Sequence, residues 1–390
     1  MKTNSPPAPG RTAPERGELR RLALALAGYK ALFFLVVFSS LYLLRGVYSA
    51  SNFSGNFHWP LEERPSMETA LKTWDAQHFL HLADEGYRPG GVSNNFFPLW
   101  PALIRLGAAL TGGHALFSAL LLSNALSLAG FLLFYAYALR RAGSEAAEPA
   151  LLLLLAFPGS LFFSFAYSES LFLALAALLL LSLSDRRFGR AAAASALLAV
   201  ARPQGIMTAP AYWFALWRER KTLGSRRASA LAAAPLAGFA AYLAFMKWST
   251  GSAFDGLRSY AGVSGQASPF KLLDPAAFWR DFTTFSAGHG ISDSPVDRAW
   301  FVAALALLPS VARLGTVELL FALPLVVVPA MALSFVGYTR HLALIAPLFL
   351  AAGALLAGER RRWGLLALCA ALLSLQTLLA VMHVNNYWAG

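Results

Sequence analysis

The sequence predicts an all-α polytopic integral membrane protein. Of its 390 residues, 57% are hydrophobic and only 13% are charged, whereas about a quarter of the residues in a soluble protein are charged. Apolar runs of about eighteen or more residues recur along the chain, and such a run is long enough to cross a bilayer as a helix. The low charge disfavours the alternative, a large soluble helical bundle.

The net charge of +12 comes largely from short basic loops between the apolar runs. These loops contain Arg140-Arg141, Asp185-Arg186-Arg187, the segment 218–227 and Arg360-Arg361-Arg362. Basic residues collect in the cytoplasmic loops of membrane proteins. The charge therefore indicates orientation, with a cytoplasmic N-terminus, and no nucleic-acid partner is expected. The single cysteine, Cys369, leaves no disulfide framework and no cysteine metal site.

The chain is expected to form one transmembrane domain behind a short tail. Residues 1–21 predict a disordered basic cytoplasmic tail, and residues 22–390 predict the domain. Two polar stretches, residues 45–114 and 249–297, are expected as outer loops. Residues 97–112 of the first loop are apolar but short, and predict an interfacial or half-inserted helix.

About eleven transmembrane helices are predicted, with the C-terminus outside. The segment 191–217 has basic loops at both ends and contains Ala201-Arg202-Pro203-Gln204-Gly205. Because proline cannot continue a helix and glycine disfavours one, two short, partly inserted helices are expected to meet at Arg202. The other spans are predicted at 22–44, 115–139, 151–165, 168–184, 228–248, 300–311, 317–336, 342–357 and 365–381.

The predicted topology collects titratable residues on the outer side. More than half of the twenty acidic residues and all seven histidines lie on or near that side. The histidines are His58, His78, His81, His114, His289, His341 and His383. A transporter would more typically place such groups near the membrane midplane. The distribution favours an active site at the outer face.

The segment from Trp74 to Tyr87 has the highest density of polar residues. Asp75 begins a pattern that suits a short amphipathic helix at the membrane interface. Its carboxylate could cap that helix, deprotonate an incoming hydroxyl, or do both. His78 and His81 lie one turn apart and could form a metal-binding face with Asp75. Since the spacing fixes no further ligand, hydrogen bonding is favoured over zinc binding.

Other candidate residues lie at later breaks in the apolar pattern. Glu169 begins an apolar helix, where an acid suits the positive helix end or is simply solvated. Arg202 and the Arg340-His341 turn place cations near membrane depth. These cations either snorkel to lipid headgroups or clamp a lipid-linked phosphate, which a guanidinium binds bidentately.

Aromatic residues in the same regions allow two interpretations. They are either an aromatic belt at the membrane interface or flat surfaces of the kind that carbohydrate sites favour. The residues concerned are Tyr87, Phe96, Phe97, Trp100 and Trp388.

Two motifs resemble the PIG-V-type mannosyltransferases, the GPI mannosyltransferase 2 family. The first comprises Trp74-Asp75, His78-Phe79, Gly86-Tyr87 and Phe96-Phe97-Pro98-Leu99-Trp100-Pro101. The second comprises Pro158-Gly159-Ser160-Leu161-Phe162-Phe163-Ser164 and Tyr167-Ser168-Glu169-Ser170-Leu171-Phe172. The Arg340-His341 turn, Pro347-Leu348-Phe349 and Asn386-Tyr387-Trp388 are similar too. The segment 201–205 departs from the family pattern, in which a polar pair would follow the arginine.

The resemblance implies the fold of the C-type glycosyltransferases, with horizontal helices in the first outer loop above a lateral lipid cavity. It implies transfer of mannose from a polyprenyl- or dolichyl-phosphate carrier, with inversion and without a covalent intermediate. It makes Asp75 the acid of the first loop and the expected general base, and Glu169 the second acidic position. One observation on the residues independently agrees with a lipid-linked donor. The sequence has no glycine-rich phosphate loop that would support a nucleotide-sugar donor.

The resulting hypothesis is a membrane glycosyltransferase of the mannosyltransferase type. It would use a polyprenyl-phosphate sugar at the non-cytoplasmic face and transfer it to a lipid, glycan or protein acceptor. Asp75 is expected to accept the proton, and Glu169 to orient the acceptor or the sugar. The donor phosphate is expected to be bound by Arg202, Arg340 and His341. His78 is expected to shape the site, and Tyr87 and Trp100 are expected to bind substrate. No metal ligand or cofactor is expected, although a divalent cation stays open.

A lipid-linked glycan flippase or exporter is the alternative from another class. It explains the spans and the cationic residues, but not the acids in non-spanning loops. A structural scaffold is a third reading. The expected partners are membrane lipids and the lipid-phosphate donor, with the oligomeric state left open. The Ala/Leu/Arg-rich composition favours a bacterial plasma membrane.

Overall fold

The computed structural model describes most of the chain, namely residues 14–44, 46–62, 64–264, 269–285, 293–333 and 335–389. Residues 1–13 of the expected tail lie outside the described residues. So do Arg45 and Glu63, which belong to the predicted outer loop 45–114, and His289, which belongs to the predicted outer loop 249–297.

The described part contains helices and no β-strand. Its first ten α-helices are α1 (Arg16–Leu43), α2 (Ala50–Gly55), α3 (Met67–Leu71), α4 (Asp75–Asp84), α5 (Leu99–Leu110), α6 (Ala115–Ala142), α7 (Ser144–Ala156), α8 (Glu169–Ser184), α9 (Phe188–Ala201) and α10 (Pro203–Ile206). The next ten are α11 (Ala209–Leu223), α12 (Ser225–Ala232), α13 (Ala234–Thr250), α14 (Asp255–Ser264), α15 (Pro275–Thr283), α16 (Pro295–Leu314), α17 (Thr316–Val328), α18 (Tyr338–Leu342), α19 (Ala346–Leu355) and α20 (Arg362–Val384).

Several helices are long and apolar enough to cross a membrane, judged by length and composition alone. Within the described ranges there are five such segments: Arg16–Leu43, Ala115–Ala142, Ser225–Thr250, Pro295–Leu314 and Glu359–Val384. Shorter apolar helices, including α5, α8, α9 and α19, accompany them. The chain is therefore an all-helical membrane protein with several spans, and the number of about eleven stays a prediction.

The first helix begins earlier than the sequence suggested. α1 starts at Arg16, so the last six residues of the expected tail, 16–21, are helical. Five of these six residues, all except Gly17, are good helix formers. Glu18 in the first turn accepts a hydrogen bond from the Tyr135 hydroxyl of α6 at 2.6 Å, which holds this end of α1 against the bundle.

The expected helix break at Arg202 is confirmed. Arg202 is extended, with φ −158° and ψ 156°, and lies between α9 and the single turn α10, which begins at Pro203. A residue before proline is pushed out of the helical region because the proline ring clashes with its backbone. The break turns the Arg202 backbone away from the axis of α9.

Helix α8 occupies the centre of the bundle. Nearly every residue of α8 is buried, and the helix packs against α6 on one side and α9 on another. The chain reaches α8 from α7 through a 3₁₀ turn, Pro158–Phe163, which is also fully buried. Because α8 is enclosed in this way, its first residue, Glu169, is held in a fixed position.

Candidate active site

Four charged side chains from distant parts of the chain meet in one cluster. Nη1 of Arg340 donates to Oδ2 of Asp75 at 2.6 Å, and its Nε donates to Oε1 of Glu169. The same carboxylate oxygen of Glu169 lies 2.6 Å from Nη1 of Arg202. Two acids therefore face two arginines, and their formal charges balance.

The two acids differ in exposure. The side chain of Glu169 is 0% exposed and that of Asp75 is 21% exposed. Oε2 of Glu169 has no hydrogen-bond partner among the described residues. A substrate could reach Asp75 directly, whereas Glu169 lies behind the two arginines.

Asp75 is positioned by an unusual backbone conformation before it. Trp74 has φ 55° and ψ −125°, a region that costs a non-glycine residue about 1–3 kcal/mol and that clusters at functional sites. The Trp74 indole holds this conformation, since its ring packs on Trp388 at 4.5 Å and its Nε1 donates to the Tyr387 carbonyl at 3.3 Å. Trp74, not Asp75, occupies the cap position of α4, and no side chain caps that helix end.

Arg340 is positioned by the short helix α18. Its guanidinium carbon lies 5.0 Å from the ring centre of Phe162 and 4.7 Å from that of Tyr167, which are distances for cation–π attraction. The residue before it, Thr339, donates from its backbone N–H and its hydroxyl to Oδ1 of buried Asp297, at 2.8 and 2.6 Å. Asp297 thus fixes the backbone that carries Arg340.

The 3₁₀ turn before α8 approaches α18 very closely at Gly159. A Cβ atom added at Gly159 would lie only 2.5 Å from the Thr339 carbonyl oxygen. A residue with a Cβ atom would have to displace the neighbouring backbone, so only glycine allows this approach. The loop that leads to Glu169 and the helix that carries Arg340 are therefore in direct backbone contact.

Arg202 joins the cluster to His341. Arg202 donates to the Ser168 hydroxyl at 2.8 Å and to Oε1 of Gln204 at 3.4 Å, and the Gln204 amide lies 3.2 Å from Nδ1 of His341. Burial, with a further contribution from Arg202 and Arg340, lowers the pKa of His341 to about 3. His341 is therefore neutral, and its Nε2 carries the proton because Nδ1 accepts from Gln204.

His78 lies one helical turn beyond Asp75, enclosed between two rings. It stacks on Phe57 at 4.4 Å and on Phe96 at 5.1 Å, and its Nδ1 lies 2.8 Å from the Ser93 hydroxyl. Burial lowers the pKa of His78 to about 4. Across the described ranges, no group of three or more His, Cys, Asp or Glu residues could hold a metal ion.

The structure does not bring Tyr87 and Trp100 to the charged cluster. Tyr87 lies past the far end of α4, donates its hydroxyl to the Phe96 carbonyl at 2.7 Å, and lines a separate cavity of about 500 Å³ with Arg105 and Trp248. Trp100 is completely buried, and its Nε1 lies 3.4 Å from the carbonyl oxygen of residue 166. Its ring therefore supports the turn before α8 and presents no free face.

Several residues of the site were missed in the sequence. Tyr167 and Ser168 stand directly before Glu169, and Gln204 stands two residues after Arg202, so proximity along the chain was an available signal. The contact of Asp297 with α18 had no such signal, because the two are 42 residues apart.

Two acids and two arginines gathered in a membrane protein, with one acid accessible, define a candidate membrane-embedded enzyme. Residues 60–228 match the family model described as mannosyltransferase (PIG-V). This match supports the resemblance seen in the sequence motifs, and the description of that family indicates a mannosyltransferase, which is a glycosyltransferase. The matched segment includes Asp75, Glu169 and Arg202. No curated protein and no solved structure matches the chain.

The unequal burial of the two acids predicts unequal effects on stability. Glu169→Gln removes the only ion-pair partner of Arg202 in the described structure and one of the two partners of Arg340. Breaking a buried ion pair costs about 3–5 kcal/mol. We therefore expect Glu169→Gln to lower the thermal unfolding midpoint in detergent clearly more than Asp75→Asn. An equal or larger decrease in Asp75→Asn would contradict this arrangement.

The low pKa of His78 predicts loss of stability on acidification. Below pH 6.5 the unfolded chain binds a proton at His78, whereas the folded protein does not until about pH 4. The unfolding midpoint should therefore fall between pH 6.5 and pH 4. The unfolding midpoint of the His78→Phe variant should fall less over this range, although His341 contributes to the same loss of stability. The control is the exposed residue His114, and the unfolding midpoint of His114→Phe should fall as steeply as that of the wild type. If the midpoint had the same dependence on pH in all three proteins, the assignment of this loss to His78 would be wrong.

Proposed function

We propose that the protein transfers a mannosyl group from a polyprenyl-phosphate donor to an acceptor hydroxyl at the non-cytoplasmic face, with inversion at the anomeric carbon. The observation that carries this proposal is the shared guanidinium of Arg340. It binds an accessible carboxylate, Asp75, and a fully buried one, Glu169. A single site thus contains a candidate base and candidate phosphate ligands.

Asp75 is the proposed general base. Its bond to Arg340 uses Oδ2 and leaves Oδ1 for the acceptor hydroxyl. The acceptor oxygen forms a bond to the anomeric carbon while the bond from that carbon to the phosphate oxygen breaks. The hydroxyl proton passes to Asp75, and the polyprenyl phosphate leaves. This direct displacement inverts the configuration and needs no covalent intermediate.

Arg340 and Arg202 are the proposed ligands of the donor phosphate. A guanidinium has five N–H donors, and the contacts within the described structure use only Nε and Nη1 of each arginine. The Nη2 groups remain for phosphate oxygens, on which negative charge develops as the bond to the sugar breaks. The Nε2–H of neutral His341 supplies a further donor.

Glu169 is proposed as a positioning residue. Its side chain is fully buried and contacts both guanidiniums, so it sets their geometry without touching the sugar. This refines the role expected from the sequence, in which Glu169 oriented the acceptor or the sugar. His78, enclosed between Phe57 and Phe96, forms part of the wall beside Asp75.

The distribution of charge supports the non-cytoplasmic face. Basic loops, including Arg140-Arg141 and Arg186, lie at the far end of α8 from Glu169. A helix of this length spans about 24 Å. If the basic end faces the cytoplasm, Asp75 and Glu169 face the opposite side, where a lipid-linked sugar is the accessible donor. The composition favours a bacterial plasma membrane for this reaction.

The decisive variant is Asp75→Asn, assayed with radiolabelled polyprenyl-phosphate mannose and membrane acceptors. Loss of a general base lowers the rate about a hundredfold or more. Asp84→Asn, at the other end of the same helix, is the matched control and should transfer mannose at nearly the wild-type rate.

Transfer at the wild-type rate by well-folded Asp75→Asn protein would exclude Asp75 as the base. The same assay separates the alternative of a lipid-linked glycan flippase, because a flippase moves glycans across the membrane without forming a new glycosidic bond.

A further inference from the structure

A second polar cavity lies at the end of the bundle opposite the charged cluster. Its volume is about 480 Å³, and it is enclosed by the ends of α6, α8 and α11 and by the beginnings of α9 and α17. Its lining includes Glu219, Glu318 and four arginines, which are Arg140, Arg141, Arg186 and Arg218. The proposed transfer reaction uses none of these residues.

The arginines of this cavity differ in how closely an acid holds them. Arg141 is held by buried Glu318 at 2.5 Å, so its charge is balanced. Arg186 pairs with Glu219 at 3.3 Å, but its side chain is 71% exposed, and such surface pairs contribute little. Arg218 is exposed and makes no ion pair within the part of the chain that the structure describes.

Arg140 also has an acidic neighbour. Its Nη2 lies 3.4 Å from Oδ1 of Asp185, the residue that caps the C-terminal end of α8. Among the charged residues that line the cavity, with Asp185 counted beside Arg140, four arginines stand against three acids.

The backbone at Arg186 is also unusual. Arg186 has φ 55°, in the left-handed region that glycine or asparagine normally occupies just after a helix. The turn itself needs only a residue that tolerates this conformation. The arginine at this position adds a guanidinium to the lining of the cavity, although its backbone conformation is unfavourable for a residue with a Cβ atom.

Two features fit a position of the cavity near the membrane–water interface. Arg140 and Arg141 stand in the last turn of α6, a candidate membrane span. Trp217, directly before Arg218, is 56% exposed, and exposed tryptophans mark the membrane–water interface. Basic pockets between helices at this depth suit the phosphate groups of anionic lipids.

We propose that this cavity binds the phosphate group of an anionic phospholipid, with Arg186 and Arg218 as the principal ligands. Guanidiniums bind phosphate oxygens bidentately, and the side chains of Arg186 and Arg218 are both exposed. The proposal is independent of the transfer reaction, since no residue of the charged cluster takes part. Free phosphate shares this chemistry and is distinguished by the experiment below.

The test compares a cavity variant with a charge-matched control. The cavity variant is Arg186→Gly with Arg218→Gln; glycine suits the left-handed turn, so the unfolding midpoint without lipid should not fall. The control is Arg190→Gln with Arg226→Gln, two exposed arginines of the same end that do not line the cavity. Purified proteins in detergent are titrated with phosphatidylglycerol, phosphatidylcholine or inorganic phosphate, and binding is followed by thermal unfolding and native mass spectrometry.

Phosphatidylglycerol, but not phosphatidylcholine, should raise the unfolding midpoint and remain bound in the wild type and the control. In the cavity variant its apparent Kd should rise about tenfold. A response to inorganic phosphate without one to phosphatidylglycerol would support the phosphate site and assign it to a free anion. Equal binding of phosphatidylglycerol by the cavity variant and the control, or no preference over phosphatidylcholine, would overturn the proposal.

Discussion

A buried guanidinium among membrane helices needs negatively charged partners. The pairing of Arg340 with carboxylates is the constraint on which the site depends. The desolvation of an unpaired arginine would cost several kcal/mol, so the carboxylates of Asp75 and Glu169 must come to it. This requirement brings the start of α4 and the start of α8 to the same point. The rings of Phe162 and Tyr167 cover the remaining faces of the guanidinium.

The same constraint separates the tasks of the two acids. Glu169 is completely buried and contacts both arginines through one carboxylate oxygen, so its role is to hold the two guanidiniums in position. Asp75 shares Arg340 from the accessible side, on a helix whose entry is fixed by the strained backbone of Trp74. Glu169 thus holds the two guanidiniums in place, and Asp75 is the accessible acid to which the proposed proton transfer is assigned.

Hydropathy and local motifs predicted the membrane class, the helix break at Arg202 and the four charged residues of the cluster. They could not predict which residues meet, because Asp75 and Arg340 are 265 residues apart and only tertiary packing joins them. Trp100 illustrates the limit: an aromatic residue in a membrane loop can face a sugar or a core, and here it is fully buried. The anchoring of α18 by Asp297 likewise has no local signature.

The most direct test of this account is a structure of the protein with a non-hydrolysable polyprenyl-phosphate mannose analogue bound. We expect the phosphate oxygens within about 3 Å of the Arg340 and Arg202 guanidiniums. The anomeric carbon should face Asp75 on the side opposite the phosphate, with room for one acceptor hydroxyl between them. A phosphate bound away from both arginines, or a sugar whose reacting face points away from Asp75, would contradict the account.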